Sequence, residues 1–189
     1  MKTTSIMIVG VGGQGTLLAS KLLGNVLLGA GYDVKLSEVH GMSQRGGSVV
    51  TYVRYGDQVY SPIVDQGEAD YILSFEILES ARWISYLKKG GKLITNTQKT
   101  WPMPVITGAM AYPEGIVEKL EKLADVTAVD ALALAEQAGS AKAVNVVLIG
   151  VLSRRMDIPE EAWLRAIEET VPKKFLELNK KAFRLGREA

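Results

Sequence analysis

The hydrophobic and polar positions at the start of the chain predict a strand, a glycine turn and a helix. Residues 5–9 form an apolar run that ends in glycines, which is typical of a buried strand. After Gly15, leucine and valine recur at helical spacing as far as the stop at residues 29–31. Residues 34–37 predict a second strand, so we expect a right-handed βαβ unit.

Alternation of strand and helix patterns continues along the rest of the chain. Residues 48–55 and 58–60, joined at Gly56 and Asp57, predict a β-hairpin. Residues 101–104 predict a connector, because proline lacks the amide donor of a helix interior. Further strands are predicted over 71–75, 92–95 and 126–129, and helices over 78–87, 113–124, 131–137, 143–155, 159–168 and 172–185.

Strands that alternate with helices predict an α/β fold. We expect a Rossmann-like three-layer domain with a mostly parallel sheet, helices on both faces and the β-hairpin as an excursion. One domain should span residues 1–189, with a helical C-terminal part from about residue 140. Ligands bind beyond the carboxyl ends of the strands in such sheets. Both glycine-rich loops, residues 10–15 and 41–47, are therefore predicted at the functional edge.

Charge and hydropathy narrow the class of partner. The 189 residues include 22 lysines and arginines against 21 acidic residues, for a net charge of +1. With a net charge this small, the chain has no overall positive electrostatic potential that would attract nucleic acid or an anionic membrane. The first apolar run breaks at Gly10, and the run over 143–152 is shorter than the ~20 residues that span a bilayer. We therefore expect a cytoplasmic protein with no nucleic acid or membrane partner.

The absence of cysteine excludes several kinds of redox chemistry. With no cysteine, the chain has no disulfide, no thiolate nucleophile and no usual ligand for an iron–sulfur cluster. The one histidine, His40, has no ligand spacing around it, so no metal site is predicted. Neither a thiamine diphosphate motif nor a phosphate-binding P-loop is present. We expect the chain to bind none of these cofactors by itself.

The first glycine-rich loop matches the G-x-G-x-x-G pattern in its proper context, after a strand and before a helix. Glycines let the backbone approach a phosphate, and the helix N-terminus supplies amides and positive potential. Alternatively, the glycines only permit a tight turn and close packing. Glu38 ends the second strand, roughly where dinucleotide-binding proteins keep a ribose-binding acid. The candidate residues in the loop are Gly10, Gly12, Gly13, Gln14 and Gly15.

The second glycine-rich loop brings together a titratable group, an amide and a fixed cation. Arg45 can bind a carboxylate or a phosphate with two parallel hydrogen bonds, and the glycines expose backbone amides. Alternatively, Arg45 pairs with Glu38 or Asp57 to hold the loop, and His40 caps a backbone group. The candidates are Glu38, His40, Gly41, Met42, Ser43, Gln44, Arg45, Gly46 and Gly47.

Four segments give the chain a family resemblance: VGVGGQGTLLAS from residue 9, SEVHGMSQRGGSVVTYVR from 37, VYSP from 59 and GEAD from 67. Together they resemble the beta subunit of indolepyruvate:ferredoxin oxidoreductase. That subunit is equivalent to the gamma subunit or domain of pyruvate and 2-oxoglutarate ferredoxin oxidoreductases. The pyruvate and 2-oxoglutarate branch tends toward S-Y-G-x-E-x-R-G-G in the second loop. Residues 40–44 here read His-Gly-Met-Ser-Gln, which indicates the indolepyruvate branch.

The resemblance implies one gamma-type domain that is inactive without a larger partner. The complex would decarboxylate an aryl 2-oxoacid, transfer the acyl group to coenzyme A and reduce ferredoxin. Thiamine diphosphate, magnesium and [4Fe-4S] clusters would belong to a large alpha subunit. Both glycine-rich loops would then face the substrate, coenzyme A or that subunit. Two other functions stay open: a self-sufficient NAD- or FAD-binding oxidoreductase, and a non-catalytic structural subunit.

Overall fold

A computed structural model, which describes residues 3–38 and 46–189, contains one mixed sheet of six strands. The strands are β1 (Thr4–Val11), β2 (Asp33–Glu38), β3 (Ser48–Gly56), β4 (Ala69–Ser74), β5 (Leu87–Asn96) and β6 (Asp125–Val129). Their spatial order is β2-β3-β1-β4-β5-β6. β1, β4, β5 and β6 pair in parallel, whereas β3 is antiparallel to both β1 and β2.

Helices cover both faces of this sheet, as the alternating pattern predicted. Ile6 and Ile8 of β1 pack into one core cluster, and Met7 and Val9 pack into the opposite one. The helices are α1 (Thr16–Gly29), α2 (Ile77–Trp83), α3 (Met103–Ile106), α4 (Ile116–Glu121), α5 (Ala131–Ala138), α6 (Val144–Ser153), α7 (Glu160–Thr170) and α8 (Leu176–Glu188). α1 and α5 to α8 contribute to the first cluster, and α2 and α4 to the second. The α/β fold is therefore confirmed.

The position of β3 corrects the predicted βαβ unit. β2 does not pair with β1, because β3 lies between them and hydrogen-bonds to both. Since β3 is antiparallel to each neighbour, β1 and β2 still run in the same direction. α1 thus crosses over one intervening strand. All five strands other than β3 end at one edge, called the carboxyl edge below; the opposite edge is the amino edge.

The hairpin predicted over 48–55 and 58–60 is wrong. β3 continues to Gly56, and no residue from 57 to 68 belongs to a strand. The antiparallel partner of β3 is instead β2, from the pair Asp33 and Gly56 to the pair Glu38 and Thr51. The Val59 amide donates to the Asp33 carboxylate at 2.7 Å rather than to a strand. Both edges of β3 are already paired, so residues 58–60 have no free edge to join.

Other element boundaries also differ from the predicted ones. The helix predicted over 78–87 is α2 followed by a 3-10 turn over Ile84–Tyr86, and β5 begins directly at Leu87. The helix predicted over 113–124 is limited to α4. In the predicted connector, α3 begins at Met103, and Pro104 lies in its first turn, where the missing amide costs no helical hydrogen bond.

Two glycines bring the backbones of α6 and α8 into direct contact. A Cβ atom on Gly150 would lie 2.2 Å from the Phe183 carbonyl oxygen, and one on Gly186 would lie 2.0 Å from the Val147 carbonyl oxygen. Real Cβ atoms do not approach backbone so closely. The spacing of these two helices therefore depends on glycine at both positions.

We predict that Gly186→Ala lowers the free energy of unfolding by about 1–3 kcal/mol, because α8 must move away from α6. Gly29→Ala is the matched control, since a Cβ there would meet no atom within 4 Å. The control should be as stable as the wild type or slightly more stable, because alanine favours helix. Urea unfolding of both variants measures the difference. Equal midpoints for the two variants would contradict the close contact.

Candidate functional site

The first glycine-rich loop joins β1 to α1 at the carboxyl edge. Gly13 and Gly15 have φ values of 97° and 86°, which favour glycine. The Gln14 side chain folds back into the loop: its Oε1 accepts from the Val11 amide at 2.8 Å, and its Nε2 donates to the Phe75 carbonyl at 3.4 Å. A Cβ on Gly10 would lie 2.8 Å from Gln14 Oε1. Gly10 and Gln14 therefore contribute to the packing of the loop, and their predicted role at a ligand or partner stays a prediction.

Asn145 fixes the start of α1, and the sequence alone did not identify it. Its Nδ2 donates to the Gly15 carbonyl at 3.3 Å, although the two residues are far apart in the chain. A Cβ on Gly15 would lie 2.7 Å from the same nitrogen. The one signal in the sequence was a polar residue that interrupts the apolar run of α6.

A cavity of about 290 Å³ opens on one side of the glycine loop. It is lined by Gly12, Gly13, Gly15, Thr16, Leu17, Glu38, Val49, Val50 and Thr51. The predicted proximity of Glu38 to the loop is therefore present. Glu38 Oε1 accepts a hydrogen bond from Ser20 Oγ at 2.7 Å, so part of this carboxylate is committed to α1.

A second cavity of about 480 Å³ lies on the other side of the loop. It is lined by Gly13, Gln14, Gly15, Gln98, Leu132, Ala141, Lys142 and Val144. Among the described residues that line this cavity, Lys142 is the one that carries a charge. The glycine loop that precedes α1 and the Lys142 side chain thus line the same space, a combination that suits an anionic group.

The second glycine-rich loop is described only at its ends. Val39, His40, Gly41, Met42, Ser43, Gln44 and Arg45 lie outside the described residues, so the roles given to them stay predictions. At the returning end, Gly46 has a φ of 91°, and the Gly47 carbonyl accepts from the Gly12 amide at 2.9 Å. This contact places the returning end of the second loop directly beside the first loop.

Glu79 attaches the same returning end to α2. This side chain is buried, and its Oε2 accepts from Ser48 Oγ and, at 3.2 Å, from Trp83 Nε1. Its Oε1 accepts from Arg82 Nε at 3.0 Å. The start of β3 is thereby held on α2 as well as on the first loop.

Glu76 is a second buried acid at this edge, with 1% of its surface exposed. Its Oε2 accepts from the Glu79 amide at 2.9 Å, which caps the start of α2. Its Oε1 accepts from the Thr100 amide and from the Tyr112 hydroxyl, each at 2.9 Å. Burial, together with the hydrogen bond to Glu76, raises the pKa of Tyr112 well above its usual value, so the hydroxyl keeps its proton and donates.

The donor atoms in the described residues do not fit a metal or an iron–sulfur cluster. Within residues 3–38 and 46–189, no group of three or more histidine, cysteine, aspartate or glutamate side chains is arranged to hold a metal. The chain has no cysteine for a cluster. The buried carboxyl oxygens of Glu76 and Glu79 already accept hydrogen bonds from amides and side chains.

None of the helices described is long and apolar enough to cross a bilayer.

Sequence comparison relates nearly the whole chain to one family of oxidoreductases. The pyruvate ferredoxin/flavodoxin oxidoreductase family matches residues 5–189. Indolepyruvate oxidoreductase subunit IorB of Thermococcus kodakarensis is 46% identical over 98% of this chain and 95% of that protein. The pyruvate/ketoisovalerate oxidoreductases common subunit gamma of Thermococcus litoralis is 28% identical over 95% of this chain and 91% of that protein. The stronger match to IorB agrees with the branch predicted from residues 40–44.

Solved structures share the fold along its full length. Pyruvate oxidoreductase subunit PORC from Thermotoga maritima has a TM-score of 0.78 and 26% identity, with 100% of this chain and 97% of that chain covered. The 2-oxoglutarate:ferredoxin oxidoreductase from Magnetococcus marinus has a TM-score of 0.75 and 19% identity. All of this chain matches 31% of that longer one. The chain therefore belongs to the pyruvate ferredoxin/flavodoxin oxidoreductase family, as the four sequence segments predicted.

Proposed function

We propose that this chain is the small subunit of an indolepyruvate-type 2-oxoacid:ferredoxin oxidoreductase. The complex would convert an aryl 2-oxoacid to its acyl-coenzyme A and reduce ferredoxin. The observation that carries this proposal is the 46% identity to an indolepyruvate oxidoreductase subunit over 98% of the chain. A match of that extent leaves no large unmatched segment in which a different activity would lie.

In this proposal the redox chemistry belongs to a large alpha subunit. Thiamine diphosphate, magnesium and the [4Fe-4S] clusters would be bound there and would supply the decarboxylation and electron transfer. The missing cysteines and the occupied carboxyl groups of Glu76 and Glu79 support this division. Ferredoxin, the 2-oxoacid and coenzyme A would be partners of the assembled complex.

The contribution of this chain would be to position anionic groups at the rim of the active site. Gly13, Gly15 and Lys142 line the 480 Å³ cavity, which suits the approach of coenzyme A phosphates. Arg45 would add a planar cation from the second loop. Correct positioning contributes to rate without any covalent step on this chain.

A self-sufficient NAD- or FAD-binding oxidoreductase has less support from the geometry. In a dinucleotide-binding sheet the first two strands are neighbours, whereas β3 separates them here. Gln14 occupies the inside of the glycine loop, and Glu38 bonds to Ser20. A dissociation constant near 1 μM for NAD(H), NADP(H) or FAD, about 8 kcal/mol, would favour this alternative.

The direct test is reconstitution of activity from separated subunits. We predict that the pure chain is colourless and inactive toward 2-oxoacids, because it lacks ligands for clusters. Addition of the large subunit that co-purifies with it from the native cell should give coenzyme A-dependent reduction of ferredoxin by indolepyruvate. The large subunit alone is the control. An iron–sulfur or flavin absorption band in the pure chain would contradict the proposal, as would full activity of the large subunit alone.

Variants of Arg45 can distinguish a role of this chain at the active-site rim from a purely structural role. We predict that Arg45→Lys and Arg45→Ala lower kcat/KM of the reconstituted complex, since lysine keeps the charge but loses the planar fork. The measurement combines kinetics with thermal stability and affinity for the large subunit. Arg165→Lys, an exposed change on α7, is the control and should leave all three unchanged. Normal kinetics in Arg45 variants that assemble normally would exclude the rim role.

A further inference from the structure

We propose that an exposed apolar surface after β5, at the carboxyl edge, is the docking contact for the large subunit. The surface, named here the apolar tip, consists of Trp101, Met103, Ile106 and Met110. Between 60% and 66% of each of these residues is exposed. The inference rests on the proposed function, because it presumes a large subunit.

The four side chains belong to one compact turn of backbone. The Ile106 amide bonds to the Pro102 carbonyl at 3.1 Å, and the Thr107 amide bonds to the Met103 carbonyl at 2.9 Å. The Met110 amide then returns to the Pro104 carbonyl at 3.0 Å. Residue 110 is thereby brought back to the start of α3, so the apolar tip is a single feature of the surface.

Glu76 fixes both ends of the segment that carries the tip. The Thr100 amide precedes the tip, the Tyr112 hydroxyl follows it, and both donate to the same Glu76 oxygen at 2.9 Å. This carboxyl group is buried and is also bonded to the start of α2. A segment held at both ends loses less conformational entropy on binding, so the tip is preorganised for a partner.

The chemistry of the tip favours a protein partner. Residues 100–113 include no charged side chain, and Lys99 and Glu114 flank them. Centres of protein interfaces are depleted in charge and enriched in aromatic residues and methionine. Anionic membranes and nucleic acids are bound through clusters of lysine and arginine, which the tip lacks. The occupant should therefore present an apolar protein surface.

The size of the tip favours a partner with an extended contact surface over a dimer formed by two tips alone. With about 200 Å² for each large side chain, the tip exposes roughly 500 Å² of apolar surface. Two tips facing each other would bury only about 1,000 Å², the lower bound for a specific interface, whereas permanent complexes bury about 2,000 Å² or more. A stable contact thus needs a partner surface that extends beyond the tip.

The neighbouring surface leads from the tip to the proposed rim. Gln98 lies two residues before Thr100, whose amide is held by Glu76. Gln98 also lines the same 480 Å³ cavity as Gly13 and Gly15. One partner that covers the tip would therefore also reach the glycine loop. A large subunit with its active site at the proposed rim would need such a continuous contact surface from the tip to the glycine loop.

The test is the affinity of the purified large subunit for variants of this chain. Trp101→Ser with Ile106→Ser removes two anchors of the tip. Leu28→Ser with Leu123→Ser is the matched control, because these leucines are 59% and 70% exposed at the amino edge. All four positions are exposed, so both double variants should melt at the wild-type temperature when isolated.

We expect the tip variant to bind the large subunit at least about 30-fold more weakly, the loss typical of a hot-spot anchor. The control should bind within about threefold of the wild type. Equal affinity of the tip variant and the control would overturn the inference while leaving the proposed function intact. A tip-dependent homodimer, or tip-dependent sedimentation with phosphatidylglycerol vesicles, combined with normal binding of the large subunit, would also overturn it. No binding of the wild-type chain would contradict the proposed function itself.

Discussion

The antiparallel placement of β3 between β2 and β1 is the constraint on which the carboxyl edge depends. Its first residue, Ser48, is opposite Val11, the last residue of β1. The second glycine-rich loop must therefore return beside the first one, where the Gly12 amide bonds to the Gly47 carbonyl. The same strand holds Glu38 one strand away from β1, opposite Thr51. The sequence pattern of a dinucleotide-binding protein thus occurs here in a sheet whose strand order differs from that of dinucleotide-binding sheets.

Two buried acids extend this constraint to the other half of the edge. A buried carboxyl group is costly unless it is hydrogen-bonded, so its donors must be held in place. Glu79 holds the start of β3 on α2, and Glu76 holds both ends of residues 100–112. The glycine loop, the second loop's end and the apolar tip are therefore parts of one supported surface. This surface agrees with the proposed function, in which this chain shapes an active site whose cofactors a partner would provide.

Local patterns were sufficient to predict the elements of the sheet and most helices. The apolar run of β1 and the helical spacing of α1 identify those elements because both are buried where their period predicts. The pairing of β3 was predicted wrongly, because Gly56 and Asp57 resemble a hairpin turn. β3 pairs instead with β2, the strand before it, and with β1, which is distant in the chain. Val59, which that hairpin would have placed in a strand, bonds to Asp33 instead.

Long-range contacts also explain which site residues the sequence did not reveal. Asn145 bonds to Gly15, and Glu76 bonds to Thr100 and Tyr112, at separations that no helical or strand period detects. Gln14 matched a phosphate-loop pattern but fills its own loop. The candidates from His40 to Arg45 came from the family resemblance and loop chemistry, and they lie outside the described residues.

In the proposed complex, the carboxyl edge of the sheet faces the large subunit. Hydrogen–deuterium exchange of this chain, alone and in the purified complex, tests this placement. We expect complex formation to slow exchange in residues 12–17 and 100–112 and to leave exchange in residues 29–33 and 57–68, at the amino edge, unchanged. Slower exchange confined to the amino edge, with the carboxyl edge unaffected, would contradict it.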